Sequence, residues 1–196
     1  MTGRFTFISH AATHAQRRAA FPLDDPLEER ELSKVTSLRW KVPRAQRVFA
    51  APERRAQQTA SALGLSAATA EDLRECNYGE WCGREFEALY SSNPEGIGTW
   101  LTDPNAAPHG GESIVNLIGR VGDWLKEHHD TGHTIVVTHP AVIRSAIVHV
   151  LGATPQTFWR IDIAPLSFTD IRFNENVWTL RSIACPLREA DWSNAS

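Results

Sequence analysis

A chain of 196 residues suits one ordinary domain, and with 42% hydrophobic and 22% charged residues it can bury a core without staples. That balance excludes a disordered tail, a collagen-like fibre and a coiled coil. A net charge of −3 leaves no basic footprint for nucleic acid or an anionic membrane surface, and no stretch approaches about 20 consecutive apolar residues.

In chain order, residues 4–9 read as a short buried strand ending at His10, followed by a polar loop over 11–26. A helix is expected over 27–38, with acidic residues in its first turn where the helix dipole favours them. Residues 47–51 form a second apolar run closed by Pro52, and 53–63 read as a helix ended by Gly64. The stretch 73–108, rich in Gly, Asn, Pro and aromatics, predicts irregular structure with short helices around 85–90 and 96–101. Beyond Gly110 and Gly111, Ile114, Leu117, Ile118, Val121 and Leu125 recur at helical spacing. The strongest strand pattern, 134–138, runs into His139, with Pro140 in the first turn of a helix over 141–151. Residues 168–173 and 177–183 around Asn174-Glu175-Asn176 predict an antiparallel hairpin. Strands alternating with helices predict a three-layer α/β/α sandwich with a mostly parallel central sheet, in a single domain over 1–196.

Cys76, Cys82 and Cys185 make no Cys-x-x-Cys pair and no disulfide framework, and the first residues show no apolar leader. Together these set the expectation of a reducing cytoplasm. In parallel α/β sheets, ligands bind beyond the carboxyl ends of the strands. Two apolar runs end there in a histidine, at His10 and His139, and a third leads into a helix whose first turn carries Arg54 and Arg55. Two imidazoles and an arginine converging on one crevice suit a phosphoryl group, whose transfer needs positioning and positive charge. Taken singly, each is more often structural: a hydrogen-bonded strand-end histidine or a helix-surface arginine. Their recurrence at equivalent places in the βα rhythm raises the functional reading.

At these positions the chain resembles the histidine phosphatase superfamily, which includes cofactor-dependent phosphoglycerate mutases and many small phosphatases. The superfamily's Arg-His-Gly-Glu-Thr, with an Asn three residues on, reads here Ser9-His10-Ala11-Ala12-Thr13 and then Gln16. Its Ser-Ser-Pro-Leu-x-Arg-Ala-x-Gln-Thr-Ala reads Ala50-Ala51-Pro52-Glu53-Arg54-Arg55-Ala56-Gln57-Gln58-Thr59-Ala60. Leu-x-Glu and Gly-x-Trp-x-Gly are met at Leu73-Arg74-Glu75 and Gly79-Glu80-Trp81-Cys82-Gly83, Gly-Glu-Ser at Gly111-Glu112-Ser113, and Thr-His-Gly at Thr138-His139-Pro140. These signatures span roughly residues 4 to 145.

The resemblance implies a phosphomonoesterase acting on a small phosphorylated substrate, with no cofactor, no metal, no nucleic acid and no membrane, and open to homodimer formation. It implies His10 as the nucleophile that becomes phosphohistidine, Arg55 and a protonated His139 as holders of the phosphoryl group, and Glu75 as general acid and base. Thr13, Gln16, Arg18 and Ser9 are the implied further contacts, with Arg54 and Arg144 as additional candidates. Ser9 stands where the superfamily has an arginine, and Pro140 where a glycine offers its N–H. These two departures motivate an alternative: a catalytically impaired chain that uses the same basic pocket to bind an anionic ligand or a protein. A mutase is disfavoured by the little sequence between Tyr90 and Pro108 for an enclosing lid. His128, His129 and His133 have a metal-like count but fall across an expected helix end, which disfavours a shared face.

Overall fold

The computed structural model describes residues 2–38, 40–41, 43–129 and 132–187. Its sheet has six strands: β1 (Thr2–Ser9), β2 (Arg47–Ala50), β3 (Ala68–Thr69), β4 (Gly132–Thr138), β5 (Ser167–Asn174) and β6 (Val177–Pro186). They lie in the order β3-β2-β4-β1-β5-β6. The β3-β2, β2-β4 and β4-β1 pairs are parallel; β1-β5 and β5-β6 are antiparallel. The expected mostly parallel α/β sheet is therefore present, with an antiparallel edge added by the C-terminal hairpin. That hairpin turns through Glu175 (φ 48°) and Asn176 (φ 68°), the left-handed pair that matches the twist of its flanking strands.

The helices are α1 (His14–Arg17), α2 (Glu29–Ser37), α3 (Arg54–Ala62), α4 (Phe86–Ser92), α5 (Pro94–Thr102), α6 (Ile114–Glu127) and α7 (Pro140–Val150). Side chains alternate across the central strands and feed two cores. Phe5, Phe7, Val136 and Ile171 face Leu117, Val121 and Leu125 of α6 and Val142, Ile143 and Ile147 of α7. Ile8, Ile135 and Val137 face Val35 of α2 and Ala60 of α3, with Leu27, Leu63 and Leu65 beside them. Helices thus cover both sheet faces, and β4 is buried along nearly its whole length, as a strand inside a three-layer stack must be. Among the described residues no helix is long and apolar enough to cross a membrane.

Where local structure departs from the expected pattern, a local cause is visible. The 11–26 loop contains α1, a single turn closed by a capping box in which Thr13 Oγ1 accepts from Gln16 N–H and Gln16 Oε1 accepts from Thr13 N–H. Strand β3 is two residues long, too short for periodicity to register. Helix α5 starts earlier than expected, because Asn93 caps it and Pro94 occupies its first position.

Candidate active site

Strand pairing brings the two histidines together. In the parallel β1-β4 pair Ser9 lies opposite Thr138, so the residues that follow, His10 and His139, leave adjacent strand ends side by side. His10 N–H donates to the Thr138 carbonyl at 3.0 Å, and the two imidazole centroids are 5.1 Å apart. Both rings are almost wholly buried.

His10 Nδ1–H donates to the Ala11 carbonyl at 2.7 Å, which places the proton on Nδ1 and leaves the Nε2 lone pair free. Burial, then the neighbouring His139 and Arg55, hold the His10 pKa well below its ordinary value, so the ring is a neutral imidazole. The Ala11 peptide is fixed in turn from α3: Ala11 N–H donates to Thr59 Oγ1 at 3.1 Å, and that hydroxyl donates to the Arg55 carbonyl at 2.7 Å.

Arg55 is 1% exposed, at the start of α3. Its guanidinium donates to the Leu23 carbonyl at 2.7 Å and to Glu75 Oε2 at 3.3 Å, while its Nε has no partner. His139 lies between two carboxylates: Nε2 is 2.7 Å from Glu53 Oε2, and Nδ1 is 3.3 Å from Glu75 Oε2 without a hydrogen bond. Glu53 Oε1 also accepts from Glu75 N–H at 2.9 Å. One carboxylate therefore orients both His139 and the backbone that carries Glu75. Burial opposes ionisation of Glu53, but the hydrogen bond and charge of His139, aided by the Glu75 N–H, outweigh it and hold the pKa at about 2.

The loop bearing Glu75 is pinned by its own close packing. Thr138 Oγ1 donates to the Leu73 carbonyl at 2.8 Å, tying the end of β4 to the segment two residues before Glu75. Glu112 N–H donates to the Asn77 carbonyl and Glu80 N–H to the His109 carbonyl. At these crossings a Cβ on Gly111 would lie 2.0 Å from the Asn77 oxygen, and one on Gly79 (φ +48°) 2.0 Å from the His109 oxygen. Arg120 of α6 grips Glu112 bidentately at 2.9 and 2.7 Å and donates to the Asp72 carbonyl at 2.6 Å.

A cavity of about 150 Å³ opens over this centre, lined by His10, Arg55, Glu75, Thr13, Gln16 and Arg144 among others. The structure brings these six predicted residues to one place, with Pro140 and Tyr78 beside them. In the capping box Gln16 spends its Oε1, so its amide N–H groups and the Thr13 hydroxyl hydrogen remain for the cavity. Arg144 approaches Asp162 only to 4.0 Å, and its Nε has no partner.

Ser9 is fully buried beneath the site, its Oγ without a hydrogen-bond partner. Arg18 does not reach the cavity. It pairs with Glu85 and lines a separate depression with His14, Phe21 and Asp25, because α1 carries it to the other side of the turn that holds Gln16. Arg54 contacts Asp24 through its backbone N–H. The three histidines with a metal-like count are dispersed: His128 stacks on Trp124, His129 packs against Phe173, and His133 bonds Thr6 and the Arg44 carbonyl. Trp81 and Trp100 are buried with Phe21 and Tyr78 behind the cavity.

Sequence reasoning missed Glu53, Tyr78 and the part played by Thr59. A signal for Glu53 was present, since the superfamily motif has leucine at that position. Burial, and then the Glu75 carboxylate and Cys76, push the Tyr78 hydroxyl well above its ordinary pKa, so it lines the cavity as a neutral group.

Known proteins resemble the chain over most of its length. The family profile described as the histidine phosphatase superfamily (branch 1) matches residues 5–186. The chain belongs to that superfamily. It is 30% identical over 132 residues to "Bifunctional protein Rv2228c" of Mycobacterium tuberculosis, a match covering 63% of this chain and 36% of that protein. The chain thus matches little more than a third of the length of such curated relatives. It is 29% identical over 156 residues to the glucosyl-3-phosphoglycerate phosphatase of Mycolicibacterium vanbaalenii, covering 64% of this chain and 69% of the relative. Among solved structures, a mycobacterial glucosyl-3-phosphoglycerate phosphatase superposes with a TM-score of 0.81 at 21% identity, covering 94% of this chain and 100% of its own. A phosphoserine phosphatase from Entamoeba histolytica bound to phosphoserine gives 0.78 at 18%, covering 93% and 96%. At these identities the structures speak to the fold alone.

Proposed function

We propose that this protein hydrolyses a small phosphomonoester through a phosphohistidine formed on His10. The observation that carries the reading is the His10 ring itself: buried, neutral, with Nδ1–H committed to a carbonyl and Nε2 free at a cavity also lined by Arg55. A nucleophile needs that free lone pair, and the held proton fixes the tautomer.

In the forward step Nε2 attacks phosphorus and the ester oxygen departs with a proton from Glu75. In the second step Glu75, now a carboxylate, takes a proton from the water that attacks the phosphohistidine. Arg55 bridges two phosphoryl oxygens through its planar fork, and His139 beside His10 adds a further donor to the centre. Thr13, Gln16 and Arg144 supply further donors around the cavity. Ser9, with its buried unpartnered hydroxyl, stands where the superfamily has an arginine; losing one such oxyanion donor costs about 2.7–4 kcal/mol if nothing replaces it. Arg144 is the replacement we assign.

The relatives named for glucosyl-3-phosphoglycerate and phosphoserine support a small phosphorylated metabolite as substrate. The test is phosphate release from p-nitrophenyl phosphate and a phosphomonoester panel between pH 5 and 8, with trapping of acid-labile phosphoprotein. Turnover should vanish in His10→Ala. A folded chain with neither turnover nor phosphoprotein would favour the binding role instead, with Ser9 and Pro140 as the reason.

A further inference from the structure

The outer contacts of the two imidazoles have a consequence that phosphoryl transfer does not use. Each ring has one nitrogen held by an oxygen acceptor: His10 Nδ1 by the Ala11 carbonyl and His139 Nε2 by Glu53, both at 2.7 Å. Of the other two nitrogens, His139 Nδ1 lies 3.3 Å from Glu75 Oε2 and His10 Nε2 is left free, and one ligand atom from each of the three residues lies within 4.8 Å of the other two. An imidazole fixed by a carboxylate or carbonyl behind it is the arrangement by which proteins orient metal-binding histidines.

His139 Nδ1 and the Glu75 Oε2 carboxylate oxygen confront each other across 3.3 Å, and the buried Nδ1 makes no hydrogen bond. That gap calls for a cation, either a proton or a metal ion. With metal–ligand bonds of about 2.0–2.2 Å, donors 3.3 Å apart subtend roughly 100–110° at the ion, close to tetrahedral. The centre sets the Arg55 guanidinium, with Arg144 at the cavity wall, against two carboxylates, Glu53 and Glu75. Serine at position 9 has removed a second guanidinium, and Glu53 has added a carboxylate where the superfamily motif has leucine.

We propose that His10, Glu75 and His139 bind one divalent transition-metal ion of the zinc class, with Glu53 and the Ala11 carbonyl fixing the two imidazoles as ligands. Two histidines and a carboxylate are a ligand set that zinc accepts, with a fourth position open to the cavity. Arg55 shares the Glu75 oxygen at 3.3 Å, and its charge keeps the affinity below that of a closed structural site. Binding needs no redox partner: the ion accepts lone pairs from two nitrogens and an oxygen, and displaces a proton from His139 Nδ1 where one is present. An ion on His10 Nε2 also occupies the lone pair that attacks phosphorus, so the loaded form is blocked. That consequence rests on the phosphatase reading; the binding itself does not.

The test uses the whole chain, freed of metal by a chelator and titrated with Co²⁺, whose visible absorption reports tetrahedral coordination, followed by displacement with Zn²⁺. One ion per chain is expected, with the band lost in His139→Ala and unchanged in His129→Ala. Glu53→Gln, checked for folding by circular dichroism, should weaken binding about 10- to 100-fold, the usual effect of losing an outer-shell acceptor. No saturable site in the wild type, or equal binding by Glu53→Gln and the wild type, overturns the proposal, and neither result depends on how His139→Ala folds. Turnover of p-nitrophenyl phosphate in the same samples separates the two readings. A cobalt band without metal-free turnover overturns the phosphatase and leaves the metal site. Metal-free turnover without a band does the reverse.

Discussion

Thr59→Val removes one hydroxyl and nearly nothing else, so it tests whether α3 holds the His10 loop in place. Thr59 Oγ1 accepts from Ala11 N–H at 3.1 Å and donates to the Arg55 carbonyl at 2.7 Å, and both Thr59 and Ala11 are fully buried. The Arg55 carbonyl keeps its helical partner in the variant. The Ala11 N–H loses its acceptor and has no access to water. Leaving such a donor unpaired costs about 1–3 kcal/mol. For a domain of this length that is a fall in Tm of roughly 2–12 °C, at about 2–4 °C per kcal/mol. Thr59→Ser keeps the hydroxyl and loses a single methyl, a cost below about 1 kcal/mol. Because the carbonyl of the same Ala11 receives the His10 proton, kcat should fall in the valine variant and recover in the serine variant. Thermal unfolding by circular dichroism, paired with p-nitrophenyl phosphate turnover, reads both. A valine variant as stable and active as the wild type, or a serine variant as impaired as valine, would refute the reasoning.

Glu53→Gln should reveal an acid-sensitive part of stability. The Glu53 carboxyl is held at about 2 in the folded chain against an ordinary 4.5, so its contribution is complete above pH 4.5 and is lost as pH falls from there through about 2. The shift converts to about 3 kcal/mol at most, and partial solvation reduces this to about 1–2 kcal/mol. Urea unfolding at pH 7 and pH 3 should show the gap between wild type and variant shrinking on acidification; a gap that grows contradicts the assignment. Gly111→Ala drives a Cβ to 2.0 Å from the Asn77 carbonyl and should cost about 1–3 kcal/mol or more, with loss of turnover as the Glu75 loop shifts. Gly119→Ala in α6, where a Cβ meets nothing within 4 Å, should instead stabilise by about 0.5–1 kcal/mol; equal effects at the two positions would discredit the packing argument. Arg144→Met should lower kcat/KM about 100- to 1000-fold with little change in Tm, the scale of one lost oxyanion donor. Unchanged kinetics would remove Arg144 from the site.

Much of this molecule is legible in its sequence because much of it is locally determined. The apolar stripe of α6, the Asn174-Glu175-Asn176 turn of the C-terminal hairpin and the runs ending in His10 and His139 follow from periods of 3.6 and 2 and from turn chemistry. So does the coincidence of two strand ends with a helix start carrying Arg55, which pointed to one crevice before any pairing was known. Pairing itself is not a local property. That Ser9 lies opposite Thr138 depends on β4 filling the place between β1 and β2, a choice made by both sheet faces burying their apolar residues at once. Side-chain partners are equally remote from sequence pattern. Arg18 sits two residues from Gln16, yet the α1 turn sends it to Glu85 while Gln16 stays at the cavity. Glu53 looks like an ordinary acidic residue at a helix start, and only the packing of α3 against the end of β4 brings its carboxylate to His139 and to the backbone of Glu75. The sequence by itself determined which residues the chemistry has to work with; the tertiary structure decided which imidazole nitrogens remain free, because that depends on the acceptors placed behind each ring.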